Sequence, residues 1–224
     1  MRLRRLPHRW DVSPKRAVAI QRELAGQVIR QGSVRRLSIV AGADTAFSPG
    51  KDMCVAAVVV WDVASRTIVE QHVVRKALRF PYVPGLLSFR EAPAILAAIR
   101  KLRCTPDAFL FDGQGYAHPR RFGLACHVGV LIDKPSVGCA KSLLVGTHAP
   151  IDSTRGARTP LIHQHEQVGI ALRTRDNVKP LFVSVGHRVS LDGATEIVLA
   201  CGTGYRLPEP TRLADKLVSI ERNM

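Results

Sequence analysis

A chain of 224 residues, 46% of them apolar, is long enough to bury one large core, and a single domain over 1–224 is the expectation. No stretch approaches about 18 uninterrupted apolar residues, which excludes a membrane-spanning helix. The basic start "MRLRRLPHRWDVSP" also lacks the apolar stretch of a secretory signal. The 33 Lys and Arg against 18 Asp and Glu, a formal +15, argue for an anionic partner, nucleic acid before any other.

Residues 1–12 form a basic N-terminal segment with no assigned element. Residues 13–32 predict a helix: Ser13 can cap it, Pro14 suits its first turn, and Ile20, Leu24 and Val28 recur every fourth residue. The apolar runs "LSIVAGA" (37–43), "MCVAAVVVW" (53–61) and "TIVEQHVVR" (67–75) predict strands, the last two a hairpin turning through "DVASR". "SFREAPAILAAIRKL" (88–102) predicts a helix, "DAFLF" (107–111) a short strand, and "RRFGLACHVGVLI" (120–132) a helix. "PSVGCA" (135–140) predicts a strand and "SLLVG" (142–146) a further one, followed by an irregular connection over 147–165. "EQVGIALRT" and "PLFVSVG" predict late strands, and "DGATEIVLACGTG" and "PTRLADKLVSIERNM" two terminal helices. This order describes an α/β fold with a mixed sheet flanked by helices, the order found in RNase H-like folds. The five cysteines hold no CxxC pair and read as reduced thiols, so a cytoplasmic location is expected.

Asp44 ends the first strand and Asp112 ends the strand "FLF". Carboxylates at the ends of neighbouring strands converge, and an oxygen pair can hold a hard divalent cation such as Mg²⁺. Each alone reads equally as a turn aspartate. Glu91 is the third acid, and "SFRE" also fits a capping box in which Ser88 caps the helix and Glu91 returns the bond. In "RFPYVPGLLS" the prolines Pro81 and Pro84 bracket Tyr82 and Val83 and stiffen the loop. A rigid loop tipped by an aromatic ring can push into a base stack, or its tyrosine can pack on the core. His118 suits either a pocket edge or a turn before Pro119. Arg120 and Arg121 are expected to open a helix, where cations oppose the dipole unless an anion, such as a phosphate, lies nearby. Lys141 can stabilise charge on a phosphate or merely be solvated.

Together and in this order, "AGADTAF", "PYVPGLLSFRE", "DGQGYAHPRRFGLACHVG", "SVGCAKS", "GHRVSLDGA" and "GYRLPEPTRLAD" resemble the endonuclease V family of deoxyinosine-specific repair nucleases. The resemblance runs from about residue 40 to about residue 216. It implies an RNase H-like fold and a metal site at Asp44, Glu91 and Asp112, with Glu91 acting directly or through water and Asp215 beside them. It implies that Tyr82, within Pro81–Pro84, is a wedge that fills the gap left by an extruded base. Gly85, Leu87, Gly113, His118 and Gly123 match the lesion pocket, and Lys141 the lysine beside the cleaved phosphate. Gln114 stands where the family carries His or Gln, and Asp215 where some relatives carry His.

The implied reaction is Mg²⁺-dependent hydrolysis, with Mn²⁺ able to substitute, of the second phosphodiester bond 3′ to the lesion, leaving a 3′-hydroxyl and a 5′-phosphate. The expected partner is deoxyinosine DNA, with inosine RNA as a variant, and a monomer that uses no membrane. The alternatives are a ribonuclease for inosine RNA, a non-catalytic nucleic-acid binder on the same fold, and a metal-free carboxylate-pair glycosidase.

Overall fold

A computed structural model describes residues 1, 7–48, 50 and 53–222, so positions 2–6 of the basic N-terminal segment lie outside the described residues. Helix α1 (Pro14–Ala25) starts as expected, with Ser13 Oγ accepting from Arg16 N at 3.3 Å. It ends at Ala25, seven residues short of the predicted end at Gly32, because the chain turns at Gly26 instead of carrying Val28 onto the same face. The strands β1 (Ile39–Phe47), β2 (Met53–Asp62) and β3 (Thr67–Ala77) then form an antiparallel meander. Strand β2 is buried on both faces, which accounts for its unbroken apolar run.

After β3 come α2 (Leu87–Arg100), β4 (Ala108–Phe111), α3 (Leu124–Ile132) and β5 (Ser136–Ala140). Strands β6 (Arg158–His163), β7 (Glu166–Leu172) and β8 (Leu181–His187) precede α4 (Leu191–Ala200) and α5 (Glu209–Glu221). All eight strands join one sheet in the order β3-β2-β1-β4-β5-β8-β7-β6, with β1, β4 and β5 parallel. This is the expected α/β, RNase H-like mixed sheet. Helices α2 and α3 cover the face bearing Ala56, Val58 and Phe109. Helices α4 and α5 cover the other, α4 over Leu110 and Val137 and α5 over Ala57 and Val59. Gly42 permits the closest of these contacts, since a Cβ there would fall 2.1 Å from the Pro210 carbonyl carbon of α5.

Three further stretches differ from the sequence reading. "SLLVG" is not a strand but a loop that lines a cavity, described below. The connection 147–165 contains β6, an edge strand whose Pro160 and exposed polar residues hide its pattern. Helix α3 begins at Leu124, so Arg120 and Arg121 precede it, and Gly123 is its N-cap.

Candidate active site

Parallel pairing sets Ala43 opposite Phe111, which brings the next residues, Asp44 and Asp112, side by side. Asp112 follows the end of β4 as expected, but β1 runs on to Phe47 with Asp44 paired to Ala57, so Asp44 lies within its strand and not at its end. Asp44 Oδ1 accepts from Thr45 N at 2.7 Å. Burial, reinforced by the charge of Asp112, pushes the Asp44 carboxyl up to about 8. Glu91 is buried on α2; burial pushes it up to about 8 despite a hydrogen bond with Thr45. Lys141 follows β5, the next parallel strand, and its Nζ lies 2.6 Å from Asp112 Oδ2 and 3.7 Å from Asp215 Oδ2 on α5. Burial alone would lower the lysine, but the bond to Asp112 outweighs it and holds Lys141 above its ordinary value. Asp112 is itself held up by burial even against that lysine. At 2.6 Å the contact is an ion pair, and the upward pressure on Asp112 comes first from burial, with the charge of Asp215 adding to it.

The capping box does not form. The helix starts at Leu87 with Leu86 as N-cap and no side-chain cap bond, which places Ser88 inside it. Ser88 Oγ instead donates to Nδ1 of the buried His127 at 2.9 Å, and His127 Nε2 meets His8 Nε2 at 2.8 Å. Glu91 therefore has no capping duty.

Beside these acids lies a cavity of about 410 Å³. Gly85, Leu87, Gly113, His118 and Gly123 all line it, and so do Asp112 and Lys141. Tyr82, Val83 and Pro84 form part of its wall; Pro81, also exposed, does not. Asp44, Glu91 and Asp215 lie outside the cavity wall. Tyr82 is 72% exposed, so it is not packed on the core.

The loop carrying Tyr82 is held at Gly85, whose φ of +76° suits glycine. Its carbonyl accepts from Gln21 Nε2 at 3.1 Å, His118 Nε2 at 3.0 Å and Arg120 Nη2 at 2.6 Å. Because Nε2 of His118 donates there, its Nδ1 is the acceptor for Arg120 N at 3.2 Å, and the ring is neutral. Burial and the adjacent Arg120 charge push it down to about 4. Both nitrogens of His118 are thus engaged, Nδ1 within its own loop and Nε2 by the Gly85 carbonyl of the Tyr82 loop.

Arg121 points elsewhere, donating to Glu166 Oε2 at 2.8 Å and contacting His163 Nδ1 at 2.8 Å. Glu166 also accepts from Tyr116 Oη at 2.8 Å and Arg30 Nη1 at 3.0 Å. The predicted phosphate contacts Arg120 and Arg121 therefore both have internal partners, since each ties its turn to a neighbouring element.

Residues 22–216 match the sequence profile of the Endonuclease V family. The chain belongs to the endonuclease V family. It is 54% identical over 212 residues to the endonuclease V of Roseiflexus castenholzii, covering 95% of each chain. The crystal structure of endonuclease V from Streptomyces avermitilis superposes with a TM-score of 0.90 at 44% identity, covering 96% of each chain. That of Ciona intestinalis endonuclease V, in complex with a 24mer DNA containing an inosine followed by a ribo-adenosine, superposes with a TM-score of 0.82 at 30% identity, covering 92% of this chain and 96% of that one.

The sequence reading missed two parts of this endonuclease V site. Gln21 is 1% exposed, lines the cavity and joins Gly85, Phe122 and Arg120 through its amide. Its signal was available: a lone amide on the buried face of α1, between Ala17, Ile20 and Leu24. Ser142, Leu143 and Leu144 also line the cavity, and their apolar run resembles a strand.

Proposed function

We propose that the protein is a DNA-repair endonuclease that extrudes deoxyinosine and hydrolyses the second phosphodiester bond 3′ to it, leaving a 3′-hydroxyl and a 5′-phosphate. The observation that carries this reading is that one cavity of about 410 Å³ is lined by Gly85, Gly113 and Gly123 together with Asp112 and Lys141. A recess for a flipped base and groups for phosphate chemistry are needed together, and an inosine pair is weak enough to open at reduced cost. The inosine DNA held by the Ciona relative supports the same substrate.

The donor set fits a hard divalent ion. Its acids offer only oxygen, and their burial and mutual repulsion make a cation favourable there. Among the described residues no three His, Cys, Asp or Glu side chains are already drawn to one metal-binding point. Asp112 would exchange part of its bond to Lys141 for the ion, with Asp44 and Glu91 as further holders and Asp215 at the edge. When bound, Mg²⁺, or Mn²⁺ in its place, would supply Lewis-acid stabilisation and a nucleophile at neutral pH. Lys141 would hold the negative charge that develops on the phosphate. Tyr82, braced by Pro81, Val83 and Pro84, would fill the vacated stack. Neutral His118 and Gln21 would keep the Gly85 carbonyl, and so the recess, in place.

The test is a labelled duplex with one deoxyinosine, incubated with and without Mg²⁺, and the nick mapped. A nick 5′ to the lesion, or an abasic product, defeats the reading; cleavage surviving EDTA defeats the metal. The ribo-adenosine after the inosine in the Ciona complex favours inosine RNA as a second substrate. Equal or better cleavage of a matched RNA would make that the main activity.

A further inference from the structure

A second, larger cavity of about 630 Å³ lies on the other side of the Tyr82 loop. The loop divides the two: Arg79 and Phe80 line the larger cleft, while Tyr82 to Gly85 line the lesion cavity. Helix α2 divides them likewise, with Leu87 and Ser88 on the lesion side and Phe89, Arg90 and Pro93 on the other. The charged lining of the cleft is Arg9, Lys76, Arg79 and Arg90 against Asp11 alone. Among the described residues Arg9, Lys76 and Arg79 are exposed and form no ion pair. Arg90 is already engaged, donating through Nη1 to the Phe80 carbonyl at 3.0 Å and lying over the Phe47 ring at 4.6 Å, so it braces the cleft wall. A concentration of exposed cations without ion pairs around a recess is the arrangement that anionic oxygen would complete.

We propose that this cleft is a phosphate-binding site, and that it takes the nucleic-acid backbone where the strand leaves the Tyr82 loop on the side away from the lesion cavity. The inference rests on the nucleic-acid substrate proposed above and extends it to a second contact region. Trp10, half-buried at the cleft and in edge contact with Phe89 at 5.7 Å, fixes the chain beside Arg9, which also lines the cleft. The partition gives the Tyr82 loop a backbone anchor on each side, Lys141 on one and Lys76 with Arg79 on the other.

The test measures binding of a lesion-free duplex in EDTA across a salt series. Neither inosine nor cleavage enters it, so failure of the lesion assignment would leave the result readable. Lys76→Gln/Arg79→Gln is compared with Arg66→Gln/Arg175→Gln, which removes the same charge from exposed sites; Arg66 lies at the far end of β3, roughly 30 Å from Lys76 along the strand. Two lost phosphate contacts should lower the slope of log affinity against log salt by about 2 in the first variant. The control should change far less, since charges beyond a Debye length of about 8 Å are screened. Equal losses in the two variants would overturn the site. Binding of inorganic phosphate that Lys76→Gln/Arg79→Gln abolishes, with the duplex slope unchanged, would overturn the backbone assignment and leave a site for free phosphate.

Discussion

The segment Asp112–Arg121 runs between two acidic centres of opposite character. At its start, Asp112 shares a buried region with Asp44 and Glu91, and one lysine contacts it. The carboxyls there are pushed up. At its end, a single acid, Glu166, meets Arg30, Arg121 and the Tyr116 hydroxyl. Burial alone would raise Glu166, but the hydrogen bonds from Arg121 and Tyr116 hold it below the ordinary value. One centre is short of positive charge and the other is supplied with it. A fold gains nothing from the first arrangement unless a cation arrives, so the deficit marks the chemistry and the balance marks the scaffold.

The largest effect that separates the two ends is on turnover. Asp112→Asn and Asp44→Asn should each lower single-turnover cleavage of a deoxyinosine duplex by roughly 1,000-fold or more, since each removes a carboxylate proposed to hold the ion. Asp44→Asn should leave the melting temperature in EDTA unchanged or raised, because it removes a carboxyl that burial already disfavours. A variant that loses both activity and stability would place Asp44 in the scaffold instead. Glu91→Gln should cost less, about 100-fold, with the helix intact. Full activity with ordinary metal dependence would remove Glu91 from the site.

The sheet was largely legible because its strands are apolar runs between turn residues. Asp112 was legible as the end of β4, and Asp44 as the acid that breaks an apolar run, although β1 continues past it to Phe47. The errors share a cause: local pattern was read where a distant partner decided. "SFRE" fits a capping box, but Ser88 is taken by His127, 39 residues away in the chain. "RRFG" resembles a helix start, yet Arg121 is drawn to Glu166, which no motif marks. The Leu143–Leu144 pair has the composition of a strand and sits instead on a cavity wall. Family resemblance supplied what spacing could not, since the convergence of Tyr82, His118 and Lys141 on one cavity depends on the whole sheet order.

A pH series sharpens the contrast without touching activity. Asp44 and Glu91 rise from ordinary values of 3.8 and 4.5 to about 8 in the folded chain. The folded state therefore holds protons that the unfolded state has released. Their stabilising contribution is full below about pH 4 and is lost as pH rises through about 8. Glu166, held below 4.5, has the opposite sign: its contribution is full above that value and is lost as pH falls through the lowered one. In EDTA, thermal stability between pH 5 and 8 should fall more steeply in the wild type than in Asp44→Asn, and Mg²⁺ should restore it at pH 8. Identical slopes in the two proteins would mean that Asp44 titrates normally.

The smallest expected effect lies at the balanced end. Glu166→Gln keeps the shape and an acceptor for Tyr116 but removes the charge that draws Arg30 and Arg121. The Glu166 side chain is 35% exposed, so solvent already screens these pairs, and the loss should be about 1 kcal/mol. It is measured as a shift in the urea midpoint at unchanged slope. Because Arg121 fixes the turn that begins at His118, donating to its carbonyl at 3.1 Å, a modest rise in KM for the inosine duplex should accompany the shift, with kcat retained. Loss of kcat at intact stability would break the comparison itself, since a balanced carboxylate would then be taking part in the chemistry.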